Sequence, residues 1–251
     1  MKTIRITETI KNKYFFEITG NQIGTLEGWE YPSVISAIDD IPGNKGALYV
    51  NSKFGRRRLS IQGYIPGQTL AERIAMGLAL RQTGTIKTMT FTTLNDLALQ
   101  AYVEVLSLDY KYSNKCTSFL IELVAPDPRF YSQTLHDTKL DDSDSKAITN
   151  AGNEITSPSI KLLGAGSNWV ISNTTTGKSF TLAKTITETD YVTINCADRT
   201  VLLNGTTSVF PDFSGDFFVL DPGANTITTT VTGGDASTEV HVIFRDAYIT
   251  L

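Results

Sequence analysis

Enzymatic chemistry near neutral pH needs a nucleophile, a paired acid and base, or metal ligands at fixed spacing. This 251-residue chain offers few of them. It has only two histidines, His136 and His241. His136 sits beside Asp137 in a polar stretch, and His241 alternates between Val240 and Val242 as a strand residue does. General acid–base work requires such a group to be oriented by a partner, and neither histidine has one at readable spacing. No GxSxG, HExxH or phosphate-loop pattern occurs. Gly164-Ala165-Gly166 begins like a dinucleotide loop, but Trp169 stands where the third glycine belongs. Cys116 and Cys196 are far apart and lack a CxxC partner, so reduced thiols are expected. Counted from Asp142, the acidic run places Lys146 fifth and Ala147 sixth, where a calcium loop requires glycine. Catalytic, cofactor-binding and metal-binding residues are therefore expected to be absent, and the chain is read as a non-enzyme.

The one basic cluster is Arg56-Arg57-Arg58. On a strand Arg57 points opposite to Arg56 and Arg58, so the three form no flat patch. Their guanidinium forks suit a carboxylate on a neighbouring subunit, which makes all three candidate subunit-interface residues. A solvated strand entrance is the equal alternative, and contact with passing DNA a weaker one. Trp169 and Trp29 read as core packing. A sugar-stacking platform would need convergent polar groups beside the ring.

The elements that carry these residues are mostly β. Arg58–Ile65 alternates as a strand and closes at Pro66-Gly67. Thr69 with Glu72 forms a capping box ahead of Leu70, Ile74 and Leu78, which predicts one helix ending at Gly84. Leu97 to Val105 alternates and slips at Val105-Leu106-Ser107-Leu108, predicting a β-bulge. Phe119, Ile121, Leu123 and Ala125 line one face of the next strand, which Pro126 and Pro128 end. A polar run then divides the chain into 1–131, a linker at 132–146, and 147–251. The linker should be exposed backbone. The last part shows short strands and turn signals such as Asn204-Gly205, the pattern of an antiparallel β-sandwich. Residues 1–131 hold 15 Lys and Arg against 12 Asp and Glu, whereas 132–251 hold 7 against 14. That imbalance fits two separately folded units. The charged, alternating start and the lack of a ~20-residue apolar run give no sign of secretion or membrane insertion. Synthesis and assembly in the cytoplasm of the host are expected.

Several stretches resemble the distal tail protein family of siphophages. They include Gly55–Gly63, Lys87–Phe91, Gln100–Val105 and the strand ending Ala125-Pro126-Asp127-Pro128-Arg129-Phe130-Tyr131. In the second half they include Ser157–Ile160, Trp169–Gly177, Arg199–Gly205, Pro222–Ile227 and Val242–Tyr248. The resemblance implies an N-terminal β-rich domain with one helix that builds a hexameric ring, and a C-terminal galectin-like jelly-roll sandwich outside it. It implies a structural virion component at the tail tip, joining the tail tube protein to baseplate or tail-tip hub proteins, with a receptor-binding protein as a further partner. DNA would pass through the lumen without specific binding. The alternative is a sandwich that binds host-surface carbohydrate. The resemblance assigns no role to residues 35–54.

Overall fold

In the computed structural model, residues 1–8, 14–43, 45–66, 69, 86–112 and 116–251 are described. The chain divides into a first unit, Met1–Gln133 with Ile249–Leu251, and a second, Thr134–Tyr248. The helix expected from Thr69 to Gly84 lies outside the described residues.

Alternating apolar residues make the first unit a set of antiparallel strands. They are β1 (Thr3–Glu8), β2 (Tyr14–Thr19), β3 (Ile23–Glu27), β4 (Val34–Asp40), β5 (Ala47–Phe54), β6 (Arg57–Pro66), β7 (Lys87–Thr92), β8 (Ala98–Tyr112), β9 (Cys116–Ala125) and β10 (Phe130–Ser132). Their main order is β2-β1-β7-β8-β9-β6-β3, with β10 also on β8. The long strand β8 serves two neighbours: its start pairs with β7 and its end with β9. The register shifts between Val105 and Ser107, where the bulge was expected, and Leu106 is pushed into solvent. One extra residue bends a strand, so the two ends of β8 can feed two sides of one core. Ile4, Ile6, Met89, Phe91, Leu99, Ala101 and Val103 are buried on one stretch, and Leu59, Ile61, Phe119, Ile121 and Leu123 on the other. Trp29 joins them, edge-on to Phe91 at 5.0 Å and stacked on Phe130 at 5.9 Å.

The polar run does not form a free linker. It holds β11 (His136–Leu140) and begins β12 (Ser145–Asn150). Leu140, Ile148 and Asn150 are buried, and such anchors suffice to seat edge strands whose alternate residues are exposed or half-buried. The remaining strands are β13 (Ser159–Leu163), β14 (Ser167–Asn173), β15 (Lys178–Leu182), β16 (Tyr191–Asn195), β17 (Thr200–Leu203), β18 (Thr207–Ser208), β19 (Phe213–Gly215), β20 (Gly223–Thr232), β21 (Glu239–Phe244) and β22 (Ala247–Tyr248). Two antiparallel sheets result, ordered β11-β21-β13-β16-β17-β18 and β12-β20-β14-β15-β19. Asn204 (φ 50°) and Gly205 (φ 71°) turn β17 into β18 with the two positive φ angles that a type I′ hairpin requires.

Trp169, Ile171, Phe180, Leu182, Ile160, Leu162, Val240 and Val242 form one buried cluster between these sheets. Polar residues fix its loops. Asn173 and Asn225 are both fully buried. The Asn225 amide donates to Asp221 O at 2.8 Å and Gly223 O at 3.1 Å, and its Oδ1 accepts from Asp221 N at 3.0 Å. Asn173 Nδ2 donates to Val219 O at 3.0 Å and to Asn225 Oδ1 at 3.2 Å. Removing the Asn225 amide would take a partner from the buried Asn173 amide and break three part-buried bonds that hold the Asp221–Gly223 loop. Asn225→Ala should therefore cost about 2–4 kcal/mol in urea unfolding. A cost below about 0.5 kcal/mol would show that the loop does not depend on this amide.

Candidate functional site

The three candidate arginines divide as strand alternation requires. Arg56 and Arg58 are exposed, while Arg57 is fully buried on the core face of β6. Arg57 is thereby removed from the set of candidate interface residues, because its guanidinium is used inside the first unit. Nε donates to Pro128 O at 2.7 Å, Nη1 to Gly28 O and Trp29 O at 3.0 Å each, and Nη2 to Ile249 O at 2.5 Å. The guanidinium also lies 4.3 Å from the Phe130 ring centroid. All four acceptors are neutral carbonyls. Burial pushes the side chain down from 12.5 to about 10, so it remains a cation at neutral pH. Carbonyl dipoles and the π face then supply the compensation that a carboxylate would give elsewhere.

The segment Ala125–Tyr131, the most specific stretch of the resemblance, has a structural task. Tyr131 Oη donates to Asp127 Oδ2 at 2.6 Å, and Arg129 N donates to Asp127 Oδ1 at 3.1 Å. Burial first, then the Asp127 carboxylate, push the Tyr131 phenol above its ordinary range, so it stays a donor. This turn presents Pro128 O and the Phe130 ring to Arg57. Gly28 serves the same centre from the opposite side. It adopts φ +77°, and a Cβ there would sit 1.9 Å from Arg58 O.

Between Trp29 and Arg57 the chain leaves the core as a hairpin. Among the described residues, strands β4 and β5 pair only with each other. Every described residue of both strands is exposed. Val34, Ile35, Ile38, Leu48, Tyr49 and Val50 are each more than half exposed. Gly43 (φ 73°) and Gly46 (φ 110°) flank the turn, and Ile41 N donates to Gly46 O at 3.3 Å. At its root, Gly55 N donates to Ser33 O at 2.8 Å, and Tyr31 meets Phe54 edge-on at 5.3 Å. A pocket of 540 Å³ opens there, lined by Tyr31, Pro32, Ser33, Ile35, Arg56 and Arg58. A two-stranded ribbon is marginal alone in water, and a continuous apolar patch of this kind marks a contact surface. Sequence reasoning gave this segment no role. The signal was two apolar β runs around Pro42-Gly43, which reads as a hairpin; its exposure on both faces had no sequence counterpart.

The histidines lie against carboxylates within the sandwich. His136 Nε2 lies 2.9 Å from Asp246 Oδ2, whose other oxygen accepts from Ala151 N at 2.8 Å. His241 lies between Asp137 Oδ1 at 2.8 Å and Glu239 Oε2 at 3.2 Å. The His136–Asp246 and His241–Asp137 pairs tie the edge strand β11 to its sheet, and among the described residues no hydroxyl or thiol is bonded to either ring. Burial raises the Cys196 thiol to about 12, which suppresses its thiolate. Trp169 is wholly buried, so it offers no face to a sugar. The cleft of the sandwich near it is lined by Gly166, Ser167, Thr185, Thr187, Glu188 and Thr232, with no aromatic platform.

Removing the buried cation should be far more damaging than removing its exposed neighbour. Arg57→Met takes the guanidinium donors away from four carbonyls and should destabilise the first unit by about 3–5 kcal/mol. Arg56→Met should stay within about 0.5 kcal/mol. Thermal unfolding of the two variants decides the matter, and equal melting temperatures would deny Arg57 this role.

Residues 151–248 match the family described as siphovirus-type tail component, C-terminal domain. No curated protein sequence matches the chain. Among solved structures, the Dit protein of phage SPP1, described as a paradigm of the hub adsorption apparatus in phages infecting Gram-positive bacteria, is similar over 97% of this chain and 98% of its own, with 13% identity and a TM-score of 0.71. Chains of the phage P2 baseplate in its activated conformation are also similar. The form with Ca gives 11% identity and a TM-score of 0.50, and the form with Sr gives 11% and 0.52, each over 97% of this chain and 98% of the other. At such identities the structural likeness speaks for the fold.

Proposed function

We propose that this chain, a siphovirus-type tail component by the family to which residues 151–248 belong, closes as a hexameric ring at the distal end of a siphophage tail. As a distal tail or baseplate component it is structural. In the proposed ring it joins the tail tube protein on one side to tail-tip or baseplate hub proteins on the other, and DNA crosses the lumen without base-specific contact. The number six follows from the family resemblance.

The observation that carries the ring reading is the β4–β5 hairpin. Its apolar side chains lie in water with nothing of the described first unit covering them. A second copy of the chain can cover them. Because the hairpin is one patch and its seat on the next copy another, the contact is heterologous, and a heterologous contact that closes makes a ring. Charge favours the first unit for this task. With 15 basic against 12 acidic residues in 1–131, opposite signs can meet across an interface. The second part carries 7 against 14, and its copies repel one another when packed face to face. We also read the chain as non-catalytic, since both histidines serve strand pairing and no nucleophile stands beside them. The glycan-binding alternative is less well supported: Trp169 is buried and no aromatic side chain lines the cleft near it, which leaves the half-exposed Phe210 as an available ring.

The test is solution mass by light scattering. The wild-type chain should reach the mass of six copies as concentration rises. Ile38→Lys with Leu48→Lys should remain monomeric, with monomer stability changed by no more than about 1 kcal/mol for two exposed sites. A double variant that assembles as well as wild type would remove the hairpin from the interface.

A further inference from the structure

Two charged pairs stand at opposite ends of the hairpin. Arg56 and Arg58 sit at its root and line the 540 Å³ pocket with Tyr31, Pro32 and Ile35. Asp39 and Asp40 end strand β4 near its tip, and both are exposed. Among the described residues none of the four takes part in a salt bridge. The two ends are separated by the length of β4, so an arginine at the root does not meet an aspartate of its own tip. At ~3.3 Å per residue, the four steps from Ile35 to Asp39 span ~13 Å.

Resting on the ring reading above, we infer that the root pocket of one copy receives the hairpin tip of the next. The carboxylates of Asp39 and Asp40 pair with the guanidinium groups of Arg56 and Arg58, while Ile38 and Ile41 pack against Tyr31 and Ile35. The pocket has the chemistry for such an occupant. Its two forks can each hold a carboxylate in a bidentate geometry, and its apolar wall suits the isoleucines beside those carboxylates. Electrostatics here sets direction. A tip meets a root, and a tip meeting a tip would bring carboxylates together, so only head-to-tail packing is favoured. The hairpin's apolar faces supply area, and the charged ends supply register.

A charge-reversal mixing experiment on the full-length protein tests this. One variant carries Arg56→Glu and Arg58→Glu, so that its roots and tips are both acidic. The other carries Asp39→Arg and Asp40→Arg, so that both are basic. Each alone should self-associate roughly tenfold or more weakly than wild type, with the loss greatest at low salt. An equimolar mixture should restore the assembly, because an even-numbered ring can alternate the two and every tip then meets a root of opposite charge. Circular dichroism of each variant monitors folding. If the mixture stays as dissociated as its components, the tip-to-root pairing is overturned. If the arginine reversals weaken assembly and the aspartate reversals do not, the pocket takes another carboxylate and the assignment of the tip is overturned. A wild-type chain that remains monomeric throughout fails at an earlier step, and that outcome refutes the ring reading itself.

Discussion

A guanidinium buried without a carboxylate imposes more order on the first unit than any apolar contact does. Taking a cation out of water costs several kcal/mol, and that cost is met only when each donor finds an acceptor in good geometry. For Arg57 the acceptors come from Gly28, Trp29, Pro128 and Ile249, with the Phe130 ring alongside. Three segments far apart in sequence must therefore arrive at one point. The turn Gly28-Trp29 is the last structure before the hairpin, and Arg57 begins the strand after it. One side chain thus ties together the outgoing and returning ends of the hairpin root. A ribbon that would fray by itself projects from a fixed base. The same strand alternation that buries Arg57 turns Arg56 and Arg58 outward, toward the pocket at that base.

The second unit is built on a different economy of interactions. Its core is an apolar cluster around Trp169 and Phe180, and its specificity comes from buried asparagine amides that knit the loops at Asp221 and Val219. Its only histidines hold an edge strand through carboxylates.

The sequence conveyed the β-rich class because alternation is written directly in residues such as Leu99, Ala101 and Val103. It conveyed the bulge at Leu106 because the alternation slips there, and the turn at Asn204-Gly205 because two positive φ angles select those residue types. It conveyed the opposite orientation of Arg57, yet not its fate. Burial of an arginine depends on carbonyls supplied by distant segments, and no local pattern records them. The stretch 132–146 misled for the converse reason: polar composition describes an edge strand facing water as well as it describes a linker, and only Leu140 and Ile148 betray the difference. The hairpin at 34–54 went unread, although Pro42-Gly43 between two apolar runs signals one, and its exposure leaves no local pattern because it is a property of what fails to pack against it.

The account stands most directly on the fate of the hairpin when copies meet. Amide hydrogen exchange should be followed across concentrations from monomer to assembly, reading residues 34–54 against the strands of the sandwich. The account predicts fast exchange in the hairpin of the dilute monomer and marked protection on assembly, with β13, β14 and β20 unchanged. Protection gained in the sandwich strands, with the hairpin exchanging as fast in the assembly as in the monomer, would contradict it.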